Sequence, residues 1–228
     1  MRTEPVLLVH GFASSFERNW REPGWVDLLA DAGRTVIPLD LPGHGNAPKP
    51  HDPAAYADLD QAIVAALPDQ GPVDAVGFSL GAQLLLAVAS RRPDRFGRLV
   101  VGGVGANLFA SGDPEPIAQA LEAGEADGEA ASLVRAFTLF ATAPGNDGRA
   151  LAACLRRPHR RVEPADLGGL DRPVLVVLGD RDFAGPAEPL LDALPDATFV
   201  NLPGADHFGT PKDFRFIDAA LEFLEATP

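Results

Sequence analysis

The chain has 228 residues, of which 46% are hydrophobic and 22% are charged, a composition typical of one soluble domain with a sizeable core. Its 19 basic and 32 acidic residues give a net charge of −13, which argues against nucleic acids and anionic membranes as partners, since both attract cationic surfaces. The single cysteine, Cys154, excludes an internal disulfide and a cysteine metal cluster. No apolar run approaches the roughly 18 residues that span a bilayer, so we expect no membrane insertion.

The apolar segment nearest the N-terminus is short, about five residues, and ends at His10-Gly11 instead of a small-residue cleavage site. We therefore predict a core strand there, not a signal peptide, and expect a cytoplasmic protein.

Short β-rich runs alternate with longer helical patterns along most of the chain. Most runs are continuously apolar, as in strands buried on both faces of a parallel sheet. The predicted strands are residues 6–9, 35–39, 73–77, 98–101, 174–178 and 198–201. The predicted helices are residues 25–32, 56–66, 80–92, 188–194 and 213–226. This alternation predicts an α/β fold with helices on both faces of a mostly parallel sheet.

The interval 105–170 contains no β-rich run. It holds helical patterns at about 115–122, 129–140 and 147–156, separated by loops rich in Gly and Pro. Such a length is unusual for a plain connection, so we predict a helical cap insertion, positioned over a cleft because it follows the end of a strand. Residues 1–104 and 171–228 would then form the core.

The pentapeptide Gly77-Phe78-Ser79-Leu80-Gly81 fits the Gly-x-Ser-x-Gly pattern of a nucleophile on a sharp turn between a strand and a helix. The turn needs small residues beside the serine because bulky ones would clash where the backbone reverses. A valine-containing run precedes the pentapeptide, and a run rich in Ala and Leu, without Gly or Pro, follows it. This context indicates that Ser79 is a nucleophile.

A serine nucleophile needs a base to remove its proton and an acid to orient that base. His207 is the predicted base. It follows the last predicted strand, at the edge of the sheet where binding and catalytic residues lie in open α/β folds. Asp182 is the predicted acid because it lies farther from the end of the preceding strand than Asp180, which we expect to stabilise the turn. Asp206 is a weaker alternative, since a sequence neighbour rarely has the geometry to bond the ring.

Acyl transfer also needs donors for the developing oxyanion, and two backbone N–H groups are the usual solution. One would come from Leu80, directly after the nucleophile. The other would come from Phe12, because Gly11 before it lets the backbone approach closely, although Gly11 is also compatible with a plain turn.

These features together resemble the α/β-hydrolase-fold superfamily. The chain order Ser79, Asp182, His207 is that of the superfamily. The His10-Gly11-Phe12 loop resembles its oxyanion loop, and Asp40-Leu41-Pro42-Gly43-His44-Gly45 is similar to a loop of many members. The members include small esterases, C–C bond hydrolases and cofactor-free haloperoxidases. The resemblance implies an α/β-hydrolase fold, an inserted cap and catalysis without a cofactor.

Typical members carry a β-hairpin before the first strand, whereas five residues precede Val6 here. We therefore expect a shorter sheet of about six strands. Its exposed edge could be covered by another subunit, which leaves a monomer or a homodimer as the expected state.

An apolar acyl pocket is predicted from aromatic and aliphatic residues near these loops: Phe78, Leu108, Phe109, Phe137, Phe140 and Phe208. For Phe137 and Phe140, the helical spacing is explained equally well by packing inside the cap as by a place in the pocket. Among the other histidines, His10 and His44 are expected to have structural roles, and His51 and His159 lie in segments expected to be at the surface. We expect no metal site.

The sequence thus predicts a serine hydrolase that cleaves a small carboxylic ester or thioester with an apolar acyl group. A C–C bond hydrolase would use the same triad but calls for a larger polar contact set, and the sequence shows no obvious Arg or Asn cluster. A cofactor-free perhydrolase is another alternative. A ligand-binding receptor or scaffold with vestigial hydrolysis is the alternative from a different class.

Overall fold

The computed structural model describes residues 3–110, 112–124 and 132–227. Its strands form a six-stranded sheet in the order β2-β1-β3-β4-β5-β6, and every pairing is parallel. The strands are β1 (Val6–Val9), β2 (Val36–Leu39), β3 (Val73–Phe78), β4 (Phe96–Gly102), β5 (Val174–Gly179) and β6 (Ala197–Leu202). The predicted architecture is confirmed, with strand ends shifted by one or two residues. β2 and β6 form the edges, and the covering of an edge by another subunit stays a prediction.

Helices pack on both faces of this sheet. The helices of the described residues are α1 (Trp25–Asp31), α2 (Gln61–Ala66), α3 (Leu80–Arg91), α4 (Glu115–Ala123), α5 (Ser132–Ala141), α6 (Gly148–Leu155), α7 (Pro164–Leu167), α8 (Glu188–Ala193) and α9 (Phe214–Phe223). The helix predicted over 56–66 is wrong in its first half, where a separate 3₁₀ turn, Pro53–Tyr56, comes before α2. The side chain of Asp52 accepts the N–H of Ala54 at 2.9 Å, which fixes that turn.

The interval between β4 and β5 contains α4, α5, α6 and α7. The helix predicted over 129–140 is present from Ser132 on, and residues 129–131 lie outside the described residues. α7 was not predicted. It is short, and its start is stabilised by the Asp166 carboxylate, which accepts the N–H of Glu163 at 2.8 Å. The division of the chain into a core and a cap at residues 105 and 170 stays a prediction.

Successive side chains of each strand point to opposite faces of the sheet, which produces two core layers. One layer lies under α2, α3 and α8, and its strand residues include Leu7, Val9, Ala75, Val101 and Val176. The other lies under α1 and α9, and its strand residues include Val6, Leu8, Val76, Val100 and Val177. Both faces are therefore covered, which explains why the strands read as continuous apolar runs.

Cys154, on α6, belongs to the first of these layers and is fully buried. Burial raises the pKa of its thiol to about 11, because the thiolate would lose its hydration. This cysteine is therefore an unreactive core residue.

Candidate active site

Ser79 follows β3 on a turn whose backbone is forced into an unusual conformation. Its φ is +51° and its ψ is −116°, outside the regions that most L-residues adopt. The flanking glycines allow the turn to fit. A Cβ at Gly81 would lie 2.3 Å from the carbonyl oxygen of Val9, and a Cβ at Gly77 would lie 2.8 Å from the Cα of Ala82. Larger residues at either place would collide with backbone, so the glycine spacing reflects this geometry.

The three side chains predicted to cooperate are brought into one hydrogen-bonded series. The Nε2 atom of His207 lies 2.9 Å from the Oγ atom of Ser79. Its Nδ1 atom lies 2.8 and 3.0 Å from the two carboxylate oxygens of Asp182. The ring of His207 and the carboxylate are both buried. A neutral ring that donates Nδ1–H to Asp182 keeps its Nε2 lone pair for the serine hydroxyl proton.

The two alternative carboxylates, Asp180 and Asp206, accept hydrogen bonds from loop backbone. Asp180 accepts the N–H of Gly204 at 2.8 Å, and Asp206 accepts the N–H of Gly209 at 2.8 Å. Asp182 itself also accepts the N–H of Ala184 at 2.8 Å, which helps to hold its carboxylate in place. Among the hydrogen bonds of the described residues, Asp182 supplies the carboxylate that reaches His207.

The loop after β1 presents backbone N–H groups beside Ser79. Phe12 and Leu80 both line the same cavity as the serine, and within the described part of the chain neither backbone N–H donates to an acceptor. Gly11 is required for the close approach, because a Cβ there would lie 2.9 Å from the ring of Phe78 and 3.4 Å from the Cβ of Ser79. That the N–H groups of Phe12 and Leu80 bind an oxyanion stays a prediction.

His10 anchors this loop. Its Nε2 accepts the N–H of Leu41 at 3.0 Å, so Nδ1 carries the proton and donates to the carbonyl of Gly11 at 2.8 Å. Burial lowers the pKa of His10. The nearby His44 donates from Nδ1 to the carbonyl of Pro42 at 3.0 Å. Both rings are completely buried, in keeping with the structural roles expected for them.

The stability of the protein is expected to fall in acid partly because of His44. Burial, and then the charge of His10, lower the pKa of His44 to about 3. Between about 3 and the unfolded value near 6.5, the unfolded chain holds a proton that the folded chain lacks, so acid favours unfolding by up to about 1.4 kcal/mol per pH unit. Urea unfolding at pH 7, 6 and 5 should give a shallower pH dependence for His44→Gln than for the wild type. Equal slopes would contradict this assignment.

Two cavities adjoin Ser79. The larger has a volume of about 260 Å³ and has apolar walls that include Phe12, Leu80, Ile117, Phe137 and Phe183. The smaller, about 30 Å³, is lined in part by Phe78, Phe137, Phe140, His207 and Phe208. Of the predicted pocket residues, Phe137 thus lines both cavities, and Phe78, Phe140 and Phe208 line the smaller one.

Leu108 and Phe109 do not line either cavity, and their prediction as pocket residues is not supported by their positions. Leu108 is buried in the core layer under α3, and Phe109 packs against that layer. The reason lies in the 3₁₀ turn Ala106–Leu108, which is tied down by hydrogen bonds from Ala106 N–H to Pro186 and from Asn107 N–H to Ala184.

Several cavity residues were not predicted. Phe183 is 45% exposed, and its ring centre lies 4.2 Å from that of His207. Polar and cationic side chains line the larger cavity as well: Gln83, Asn107, Arg157, His159 and Arg161. His159 is exposed, as expected, and it also lines this cavity, where partial desolvation and the charges of Arg157 and Arg161 lower its pKa. The signal that could have indicated cationic residues at this cavity is a basic run in an otherwise acidic chain, Arg157-Pro158-His159-Arg160-Arg161.

Within residues 3–110, 112–124 and 132–227, no group of three or more His, Cys, Asp or Glu side chains is placed to hold a metal ion. In the same ranges, no helix combines the length and apolar character needed to cross a membrane.

Comparison with known proteins places this geometry in a family. A sequence model of the alpha/beta hydrolase family matches residues 6–224. The chain is 30% identical over 211 residues to the pimeloyl-[acyl-carrier protein] methyl ester esterase of Neisseria meningitidis serogroup B / serotype 15 (strain H44/76), covering 79% of this chain and 76% of the relative. It is 30% identical over 122 residues to the 2-hydroxy-6-oxononadienedioate/2-hydroxy-6-oxononatrienedioate hydrolase of Escherichia coli (strain K12 / DH10B), covering 50% of this chain and 40% of the relative.

A solved structure with the same fold is the enol-lactonase from Burkholderia xenovorans LB400. The TM-score is 0.74 at 21% identity, and the match covers 99% of this chain and 92% of the enol-lactonase. The family match spans the sheet, the turn at Ser79 and the loop of His207, so the chain belongs to the alpha/beta hydrolase family.

Proposed function

We propose that the protein is a serine hydrolase that cleaves a small carboxylic ester or thioester with an apolar acyl group. The observation that carries the proposal is the series of hydrogen bonds from Ser79 through His207 to Asp182, beside a cavity with a partly apolar lining. The esterase named among the relatives supports ester cleavage as the reaction class.

In the proposed reaction, the Oγ atom of Ser79 attacks the carbonyl carbon while Nε2 of His207 takes the hydroxyl proton. Asp182 keeps Nδ1 protonated and stabilises the imidazolium. The backbone N–H groups of Phe12 and Leu80 bind the oxyanion. When the tetrahedral intermediate collapses, His207 returns the proton to the leaving alcohol or thiol, and an acyl-enzyme remains. Water, deprotonated by His207, then attacks the acyl-enzyme. When the acyl–Oγ bond breaks and the acid leaves, His207 returns that proton to the Oγ atom of Ser79.

A C–C bond hydrolase is the second candidate, and one feature of the cavity favours it. No cluster of Asn and Arg side chains was evident in the sequence, yet Asn107, Arg157 and Arg161 line the cavity beside Ser79. The relative from Escherichia coli carries such a hydrolase name, although this chain spans 40% of its length.

A substrate panel separates the candidates. We expect turnover of p-nitrophenyl acetate and butyrate, followed at the absorbance of p-nitrophenolate, and slower turnover of a 2-hydroxy-6-oxo-dienoate, followed by loss of its own absorbance. Faster cleavage of the dienoate would favour the C–C hydrolase. Peroxide-dependent halogenation of monochlorodimedone without ester turnover would indicate a perhydrolase, and inactivity toward every substrate would favour a receptor or scaffold.

A further inference from the structure

One side of the larger cavity beside Ser79 is cationic, although the chain as a whole carries a net charge of −13. Arg157 and Arg161 supply the positive charge, and His159, whose pKa is lowered, lies beside them. No Asp or Glu of the described residues lines the same cavity. Cationic groups at a partly apolar wall attract anions more strongly than they would in bulk water, because the surrounding dielectric constant is lower.

Two other arginines of the segment 156–161, Arg156 and Arg160, form ion pairs with carboxylates. Arg156 pairs with Glu115 at 2.8 Å and with Glu122 at 2.6 Å. Arg160 pairs with Asp166 at 2.8 Å and does not line the cavity of Ser79. Arg156 and Arg160 thus have carboxylate partners within the protein, which distinguishes them from Arg157.

Arg157 is half-buried and is held in place without a carboxylate. Its Nη1 atom donates to the carbonyl of Cys154 at 2.8 Å, and no Asp or Glu among the described residues forms an ion pair with it. Gln83 and Asn107 add amide groups to the same cavity. The Oδ1 atom of Asn107 accepts the N–H of Gly105 at 3.0 Å, so its NH₂ group is the part left to donate.

We propose that Arg157, with Arg161 in the same cavity, forms a subsite for an oxyanion, a carboxylate or a phosphate, on a part of the substrate remote from the scissile carbonyl. The proposal rests on the proposed function of Ser79 as the nucleophile. A guanidinium binds either oxyanion through paired N–H donors. The apolar wall of Phe12, Ile117 and Phe137 lines the same cavity and suits a hydrocarbon chain. The substrate class is therefore an ester or thioester that joins an apolar segment to an anionic group.

Two matched substrate pairs test the proposal and separate the two sources of the anion. Monoethyl adipate and ethyl hexanoate differ by a remote carboxylate. S-Hexanoyl-4′-phosphopantetheine and S-hexanoylpantetheine differ by a phosphate on the leaving group. We expect the wild type to show a higher kcat/KM for the anionic member of one pair than for its neutral partner. That pair shows whether the bound anion is a carboxylate of the acyl chain or a phosphate of the leaving group.

The variant Arg157→Gln should lower the ratio of kcat/KM for the preferred anionic substrate to that for its neutral partner by about 10- to 100-fold. Arg157→Lys should restore part of the ratio because it keeps the charge. Arg160→Gln is the matched control, since it removes the same charge from the same segment outside the cavity, and its ratio should stay that of the wild type. An unchanged ratio in Arg157→Gln, including an equal loss on both substrates, would overturn the proposal.

A binding measurement makes the outcome independent of turnover. At constant ionic strength, sodium adipate or inorganic phosphate should raise the thermal unfolding midpoint of the wild type and of Arg160→Gln more than that of Arg157→Gln. If neutral esters are cleaved but neither anion preference nor this difference is found, the subsite is refuted while the hydrolase stands. If no ester is cleaved but the difference is found, the hydrolase fails and the anion site stands. If both are missing, both proposals fail.

Discussion

Replacing Ser79 by alanine should lower kcat/KM for p-nitrophenyl butyrate by at least about 10⁴-fold, to the level of residual binding and oxyanion stabilisation. The reason is that the Ser79 hydroxyl, 2.9 Å from His207, is the nucleophile that would form the acyl-enzyme. Alanine has no nucleophile to take its place. Alanine fits the backbone of the turn as well as serine does, so the thermal unfolding midpoint should change little.

Ser90→Ala is the matched control for this substitution. Ser90 lies on α3, the helix that begins directly after Ser79, and its hydroxyl donates to the carbonyl of Ala87 at 3.1 Å. We expect esterase activity close to that of the wild type. Activity in Ser79→Ala comparable to that of Ser90→Ala would remove the nucleophile from the proposed mechanism.

The second large effect is expected from Asp182→Asn, which should reduce kcat by about 10³- to 10⁴-fold. The neutral amide no longer requires Nδ1–H as its donor, so the ring of His207 is free to adopt the tautomer that cannot accept the proton of Ser79. The carboxylate charge that stabilises the imidazolium is lost as well. Stopped-flow or steady-state hydrolysis of p-nitrophenyl butyrate measures the change.

Asp180→Asn provides the comparison in the same loop. The carboxylate of Asp180 accepts the N–H of Gly204, and an asparagine oxygen accepts the same hydrogen bond. Its kcat should therefore stay within a few-fold of the wild type. If the two substitutions had equal effects, or if Asp180→Asn were the more damaging, the choice of Asp182 as the acid would be wrong.

The sheet was predictable from the sequence because burial on both faces leaves a local signal. Val174 to Leu178, for example, is continuously apolar, and its strand extends by one residue, to Gly179. The helix over 56–66 was not predicted correctly, because Asp52 and Pro53 stabilise a turn that the apolar pattern does not reveal. Local hydrogen bonds of this kind compete with periodicity and shift the ends of elements.

The residues at the strand ends were also accessible to sequence analysis. Parallel strands bring their carboxyl ends to one edge, so Ser79, Asp182 and His207 could be expected to meet there. The glycines around Ser79 carry a steric requirement that is visible in the sequence, and the close approach at Gly81 explains it. The roles of these side chains in catalysis stay predictions until the substitutions are made.

The cavity walls were much less predictable. Leu108 and Phe109 were expected to line the pocket, but the turn that carries them is tied to the loop before α8. Arg157 and His159 were not expected there, because their position depends on how the segment after α6 packs against the core. Such long-range packing leaves no periodic signal in a single sequence. The chemistry at strand ends could therefore be anticipated, whereas the substrate preference could not.

The most direct test of the central claim is to treat the protein with a fluorophosphonate and to locate the adduct by peptide mass spectrometry. A fluorophosphonate reacts with a serine that a neighbouring base activates. We predict one phosphonyl group on the peptide that contains Ser79, and strongly reduced labelling in His207→Ala. Absence of labelling, or an adduct on another residue with Ser79 unmodified, would contradict the account.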